Sequence, residues 1–273
     1  MYVDGQSVGS ATAGAVNTGS GGVPEIGKYN YTGSIDQVRI FNKALNSSEV
    51  TTLYNETACD ALACSGTTNT LDILSDGSCI ATYPLDGSPA DLSGNYNGIQ
   101  TNVTYPVGEF DLAGAFGTGS ILKISTELIP ATANFTLSFW IYRNVSAEID
   151  LFNQATASGS NRTYFKLYTD GTLGVSSAGS DGNRIQVSAT SSTITNGQWE
   201  HIAIVRNGSS MIFYINNSSE TESISGGTVG TGRGDLLIIS NSALKGSLDQ
   251  VRIFNKALSA GEVTTLFNET PCN

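Results

Sequence analysis

The chain has 273 residues, 24 acidic against 13 basic side chains, and a formal net charge of −11. That balance disfavours nucleic acids and anionic membranes as partners, and no apolar run is long enough to span a bilayer. Glycine is abundant, proline is scarce and charged residues make up only 14%, a composition of short strands joined by polar turns rather than of helices.

Taken in chain order, the first feature is a stretch that occurs twice. Gly33 to Asp60 reads GSIDQVRIFNKALNSSEVTTLYNETACD, and Gly246 to Asn273 reads GSLDQVRIFNKALSAGEVTTLFNETPCN. Asp36 and Asp249 lie 213 positions apart, as do Cys59 and Cys272, and a period that long marks whole domains of an array. Residues 1–57 are therefore read as the C-terminal part of one domain, 58–78 as a linker and 79–273 as a complete second domain. Tyr2-Val3-Asp4 resembles Tyr214-Ile215-Asn216, so the natural N-terminus is expected elsewhere.

Within the repeated stretch, Val251 and Ile253 alternate with Gln250 and Arg252, the period of a half-buried strand. Ser259 stands three residues before Glu262, and Asn46 three before Glu49. That is the spacing of a capping box, and Val263, Leu266 and Phe267 (Val50, Leu53 and Tyr54 in the first copy) follow at helical spacing. Parity assigns Asp249, and Asp36 with it, to the core face shared by Val251 and Ile253. A carboxylate turned inward needs a cation, an arginine or several backbone N–H groups. Asp249 is thus either a structural residue bonded to local backbone or a calcium ligand.

Four cysteines are placed suggestively. Cys79 precedes the first strand of the complete domain and Cys272 follows its last helix. The termini of a compact domain are often neighbours, so a Cys79–Cys272 disulfide would close it, leaving Cys59 to pair with Cys64. Disulfides would imply an oxidising setting; free thiols are the alternative.

The complete domain opens with a strand at Ile80–Leu85 and a turn-rich loop, DGSPADLSGNYNG, over Asp86–Gly98. Short edge elements follow at Phe110–Phe116 and Ile121–Ile124, then strands at Phe135–Tyr142 and Ile149–Phe152. Hairpins are expected around Asp170-Gly171 and Asn207-Gly208, with further strands at Arg184–Ser188, Leu236–Ser240 and Leu248–Asn255. About a dozen strands and one terminal helix argue for an all-β fold, a two-sheet antiparallel β-sandwich of jelly-roll type.

The motifs PLDG with ADLSGNYNG, FTLSFWIY, GQWEHIAIVRNG, MIFYIN and GSLDQVRIFNKALSAGEVTTLFN together resemble the laminin-G-like, concanavalin A-like lectin/glucanase family. The resemblance covers Ile80–Glu269 and the last part of the preceding copy. It implies glycan binding, protein adhesion or, in a subset, glycan hydrolysis. The near-identical repeats also resemble tandem domains of bacterial surface proteins and phage virion fibres, which implies an extracellular or virion-surface setting. In many members a calcium ion ties the N-terminal loop to the terminal strand. Carried over, the ligands would be Asp249, Asp86, Asp91 and Asn95, with Asn97 a further donor and backbone carbonyls completing the shell. An Asp/Asn/Gly turn cluster without metal is the competing reading of that loop.

No catalytic residue is expected. Laminarinase-type members carry an ExDxxE strand; here Glu148 and Asp150 supply its first half, but Asn153 stands where the acid/base glutamate belongs, and an amide cannot donate or take the proton. His201, the single histidine, is read as a packing or hydrogen-bonding residue. Arg233-Gly234-Asp235 is an adhesion tripeptide by letter only. The aromatic residues on polar faces, Trp140, Tyr142, Tyr164 and Tyr168, are candidate glycan contacts, each also explained by core packing. The sequence therefore points first to a non-enzymatic carbohydrate-binding adhesion module and second to an assembly domain whose partners are other protein chains.

Overall fold

A computed structural model describes residues 2–4, 6–9, 41, 43–54, 71–130, 133–155, 162–178, 184–224, 236–238 and 245–269. The chain divides into two compact units, Met1–Asp60 and Ala61–Asn273. In the first unit β1 (Tyr2–Val3) and β2 (Gln6–Ser7) form an antiparallel hairpin, and α1 spans Ser47–Tyr54. The capping box expected there is present. The Glu49 N–H donates to Asn46 Oδ1 at 2.9 Å, and the Asn46 N–H donates to Glu49 Oε2 at 2.9 Å. Asp36 lies outside the described residues.

The second unit contains β3 (Cys79–Tyr83), β4 (Ile99–Thr104), β5 (Gly114–Ile124), β6 (Phe135–Tyr142), β7 (Ile149–Ala155), β8 (Arg162–Leu167), β9 (Thr172–Ala178) and β10 (Arg184–Thr193). It continues with β11 (Trp199–Asn207), β12 (Ser210–Ile215), β13 (Ser218–Ser223), β14 (Leu236–Ile238), β15 (Gly246–Phe254) and α2 (Ala260–Phe267). The strands pair antiparallel in the order β10-β9-β8-β7-β14-β5-β15-β6-β11-β12-β13, with β3 on β15 and β4 on β5. This ribbon doubles back on itself to make the two layers of a jelly-roll sandwich. The corner is β5, whose first residues pair with β15 and whose last pair with β14. Gly119, at φ +75°, lies between the two halves and relieves the bend. Sequence reading split this strand into two short edge elements; it is one strand of 11 residues.

Alternating apolar residues fill the space between the layers. Leu137, Phe139 and Ile141 of β6, Phe165 and Leu167 of β8, Ile202 and Ile204 of β11, and Leu248, Val251 and Ile253 of β15 share one core. A second, smaller cluster lies on the outer side of the β15–β6–β11 layer. There Val263 and Leu266 of α2 cover Phe254, Ala203, Val205 and Tyr214. The helix starts as expected, with the Ser259–Glu262 capping box formed. Because α2 covers that side, β15 is buried on both faces rather than half-buried. Gln250 and Arg252, the polar alternates, are as enclosed as the valines. Arg252 is held by Glu269 at 2.5 and 2.7 Å and by Gln250 at 3.0 Å.

Candidate functional site

The closing strand does not keep a simple alternation. Leu248 pairs with Ile141 and Asp249 with Trp140, then the ladder shifts before Arg252. Gln250 takes φ +46° in that bulge. One inserted residue reverses the facing of everything before it. Asp249 therefore lies on the side of Trp140, opposite the core face of Val251 and Ile253, which corrects the parity argument. It is nonetheless fully buried. Its Oδ2 accepts the Phe110 N–H at 2.9 Å, while Oδ1 has no partner. The loop can approach this closely because residue 108 is glycine, where a Cβ would sit 2.5 Å from Oδ2. Burial raises the Asp249 carboxyl to about 8; the Phe110 N–H opposes that and the Asp86 charge adds to it.

Asp86 grips the same loop, accepting the Leu112 N–H at 3.1 Å, and burial raises its pKa as well. Asp91 is engaged elsewhere. One oxygen accepts the Thr82 N–H at 2.9 Å; the other accepts the Tyr96 N–H at 3.2 Å and the Ser93 hydroxyl. Asn97 accepts the Asp91 N–H at 3.0 Å, and the Asn95 N–H donates to Ser93 Oγ at 3.2 Å. The predicted tetrad is thus divided. Asp86 and Asp249 converge on residues 106–112, whereas Asp91 and Asn95 stabilise their own turn. Among the described residues no three His, Cys, Asp or Glu side chains gather as a metal cluster. The orphaned, buried Asp249 Oδ1 beside a second carboxylate is the feature that fits a cation; Asp91, with both oxygens occupied, does not.

The four aromatic candidates separate too. Trp140 is only 8% exposed and packs with Phe110, His201 and Phe267 beneath α2. Its ring is not presented to solvent. Tyr142 is half-buried on the same outer side, tilted against Trp199 at 5.6 Å; sequence reasoning did not single out Trp199. Tyr164 and Tyr168 lie on the outer side of the other layer. In β8, Phe165 and Leu167 point into the core, so Arg162, Tyr164 and Lys166 point out. Tyr164 stands opposite Asn153 and Ser176. The Tyr168 ring covers Gly174, where a Cβ would come within 2.7 Å of its edge.

Arg143, also missed from sequence, sets the Tyr168 turn. Its buried guanidinium donates to the carbonyls of Val145 (2.9 Å), Tyr168 (2.9 Å) and Thr169 (3.2 Å). Nothing but its place at the end of FTLSFWIY signals this in the sequence. Nearby, Lys166 bridges Glu148 at 2.9 Å and Asp150 at 3.1 Å. His201 is buried, its Nε2 is 2.9 Å from Ser138 Oγ, and burial lowers its pKa to about 3, so it stays neutral. Cys79 is a free, buried thiol, raised by burial to about 11. Cys59, Cys64, Cys272 and Arg233-Gly234-Asp235 lie outside the described residues. No described helix is long and apolar enough to cross a membrane.

A family model described as the concanavalin A-like lectin/glucanases superfamily matches residues 1–51 and 116–264. No curated protein matches. Among solved structures, domain 4 of AbnA, an extracellular GH43 arabinanase from Geobacillus stearothermophilus in complex with arabinotriose, is 22% identical with a TM-score of 0.59, covering 70% of this chain and 98% of that one. The binding domain of Paraclostridial Mosquitocidal Protein 1 is 21% identical with a TM-score of 0.58, over 70% and 52%. The binding domain of Botulinum neurotoxin DC in complex with SialylT is 16% identical with a TM-score of 0.56, over 70% and 51%. The chain spans about half the length of the two toxin domains. At these identities the likeness shows the fold.

Proposed function

This chain belongs to the concanavalin A-like lectin/glucanases superfamily, and from that membership we propose that its second unit is a non-enzymatic glycan-binding adhesion module. We place it in a tandem array on a virion or cell surface. The observation that carries the reading is the outer face of β7–β8–β9, where Tyr164 and Tyr168 stand together with Asn153, Asp150 and Lys166. Aromatic rings take the apolar faces of sugars, and flanking amides and charges take their hydroxyls. Arg143 fixes the Tyr168 backbone and Gly174 leaves room for its ring, so the platform is organised before a ligand arrives. The arabinotriose complex of the AbnA domain supports a sugar ligand for this fold. Hydrolysis is disfavoured, because Lys166 bridges Glu148 and Asp150, and Asn153 occupies the position of an acid/base.

Calcium is part of this proposal as a structural ion. Asp249 and Asp86 would hold it, and bound there it would supply the positive charge that two desolvated carboxylates lack. The chain's own contribution is to pin the 106–112 loop to Asp249 of β15 through the Phe110 N–H and to Asp86, in the loop after β3, through the Leu112 N–H.

A second reading, protein assembly, is favoured by the first unit, where Val3, Val8, Phe41 and Tyr54 are exposed. A glycan array read with calcium and with chelator separates the two. The glycan reading expects binding that Tyr168→Phe retains and Tyr168→Ala weakens by about tenfold, the scale of a hot-spot aromatic. Silence of the whole array in both conditions would favour assembly.

A further inference from the structure

A cleft of about 540 Å³ opens at the corner where β4, β5 and β15 meet, away from the Tyr164–Tyr168 face. Its polar lining includes Asn102, Thr104, Ser120, Asn144, Lys245 and Ser247. In a chain of net charge −11, no lining residue is acidic and one is a lysine. Two of these residues hold left-handed backbone without being glycine: Asn102 at φ +51° and Lys245 at φ +39°. Asn102 sits where the β4–β5 ladder shifts between Thr101 and Val103. Ser120 braces that bulge, donating to the Asn102 carbonyl while accepting the Gly117 N–H at 3.0 Å. Bulges and unusual backbone concentrate where a strand must re-aim a side chain at a ligand. Side-chain amides each offer a donor and an acceptor, a match for adjacent sugar hydroxyls. An ammonium beside them, with no carboxylate in the lining to neutralise it, matches an anionic substituent.

We propose that this cleft is a second binding site, for a sugar unit that bears a carboxylate. It uses none of the residues of the Tyr164–Tyr168 face and stands or falls separately from it. Titration calorimetry of the full chain with trigalacturonate and with its methyl-esterified form provides the test, since the ester keeps every ring hydroxyl and loses the charge. The acid is expected to bind about fivefold more tightly at low ionic strength, the scale of one solvent-exposed charge contact. The preference should shrink as salt is raised from about 20 to about 200 mM. Lys245→Gln should bring the acid to the level of the ester. Asn102→Asp, isosteric and tolerant of left-handed backbone, loses the amide donor and adds a negative charge, so it should weaken the ester slightly and the acid more. Tyr168→Ala should leave the acid unaffected. Equal affinities for acid and ester, no binding of either, no effect of Lys245→Gln, or loss of acid binding in Tyr168→Ala would each overturn the assignment.

Discussion

Asp249 is a carboxylate taken out of water with one oxygen bonded and the other bare. Its pKa is raised from 3.8 to about 8, so the folded chain keeps a proton that the unfolded chain releases above pH about 4. Stability from this group is therefore full at acid pH and falls as pH rises through that window, at up to about 1.4 kcal/mol per pH unit. Asp249→Asn should flatten the decline, seen as urea midpoints at pH about 5 and about 8 in chelator. If the carboxylate pair takes calcium, the ion should raise the wild-type midpoint at the higher pH and leave the Asn variant where it was. The Arg252–Glu269 pair is the other buried charge system, with both side chains almost fully enclosed. Glu269→Ala leaves a guanidinium in the interior without its counter-ion and should cost about 3–5 kcal/mol in denaturant unfolding. The double change Arg252→Met with Glu269→Leu removes both charges and should cost far less. Equal losses in the two variants would mean that packing, not charge, holds Arg252.

At the scale of elements, the edge strands carry information that side-chain pattern does not. Glu220 of β13 accepts the N–H groups of Thr190 (2.6 Å), Ser191 (3.1 Å) and Ser192 (3.0 Å), together with two hydroxyls. This clips the end of β10 to β13, and the Thr190 hydroxyl and the backbone amides hold the carboxyl well below its usual range. A depressed carboxylate stabilises above its unfolded pKa and loses that contribution on acidification. Glu220→Ala should cost only about 1 kcal/mol, water being a ready substitute at the surface, but it should speed amide exchange at Thr190–Ser192 selectively. Unchanged exchange there would remove the clip as a structural element. The sequence of β13, SSETES, has no apolar alternation, which is why it was not foreseen. The exposed β4 escaped notice for the same reason. What was legible is what neighbours in the chain encode. β6 falls at its expected bounds, the two hairpins form where Asp170-Gly171 and Asn207-Gly208 stand, and both capping boxes close. What was not legible depends on other layers. Trp140 is withdrawn from solvent by Phe267 of α2, Asp249 changes face because of one extra residue in a ladder, and the predicted metal tetrad divides because Asp91 is consumed by its own turn.

Across the whole molecule the charge balance is uneven, and the fold leaves most of that imbalance at the surface. There are 24 acidic and 13 basic side chains, and two of the basic ones, Arg143 and Arg252, are enclosed and committed to carbonyls and to Glu269. Four acids, Asp91, Glu200, Asp249 and Glu269, are buried as well, so among the described residues burial removes more acids than bases and the surface keeps most, but not all, of the acidic excess. Exposed pairs such as Lys43–Glu49 and Lys166–Glu148 contribute little individually, while like-charge repulsion accumulates over the surface and opposes the compact state. The Debye length falls from about 30 Å at 0.01 M to about 8 Å at 0.15 M salt, which silences that repulsion and weakens the pairs at the same time. Repulsion is the larger of the two here, because the acidic excess of 11 exceeds the exposed pairs among the described residues. Raising sodium chloride over this range should therefore lift the thermal midpoint of the full chain by about 2–4 °C, equivalent to roughly 1 kcal/mol for a domain of this size. Scanning in chelator keeps divalent ions from mimicking the effect. A midpoint that falls with salt would mean that the surface pairs, rather than the net charge, dominate the electrostatics of this sandwich.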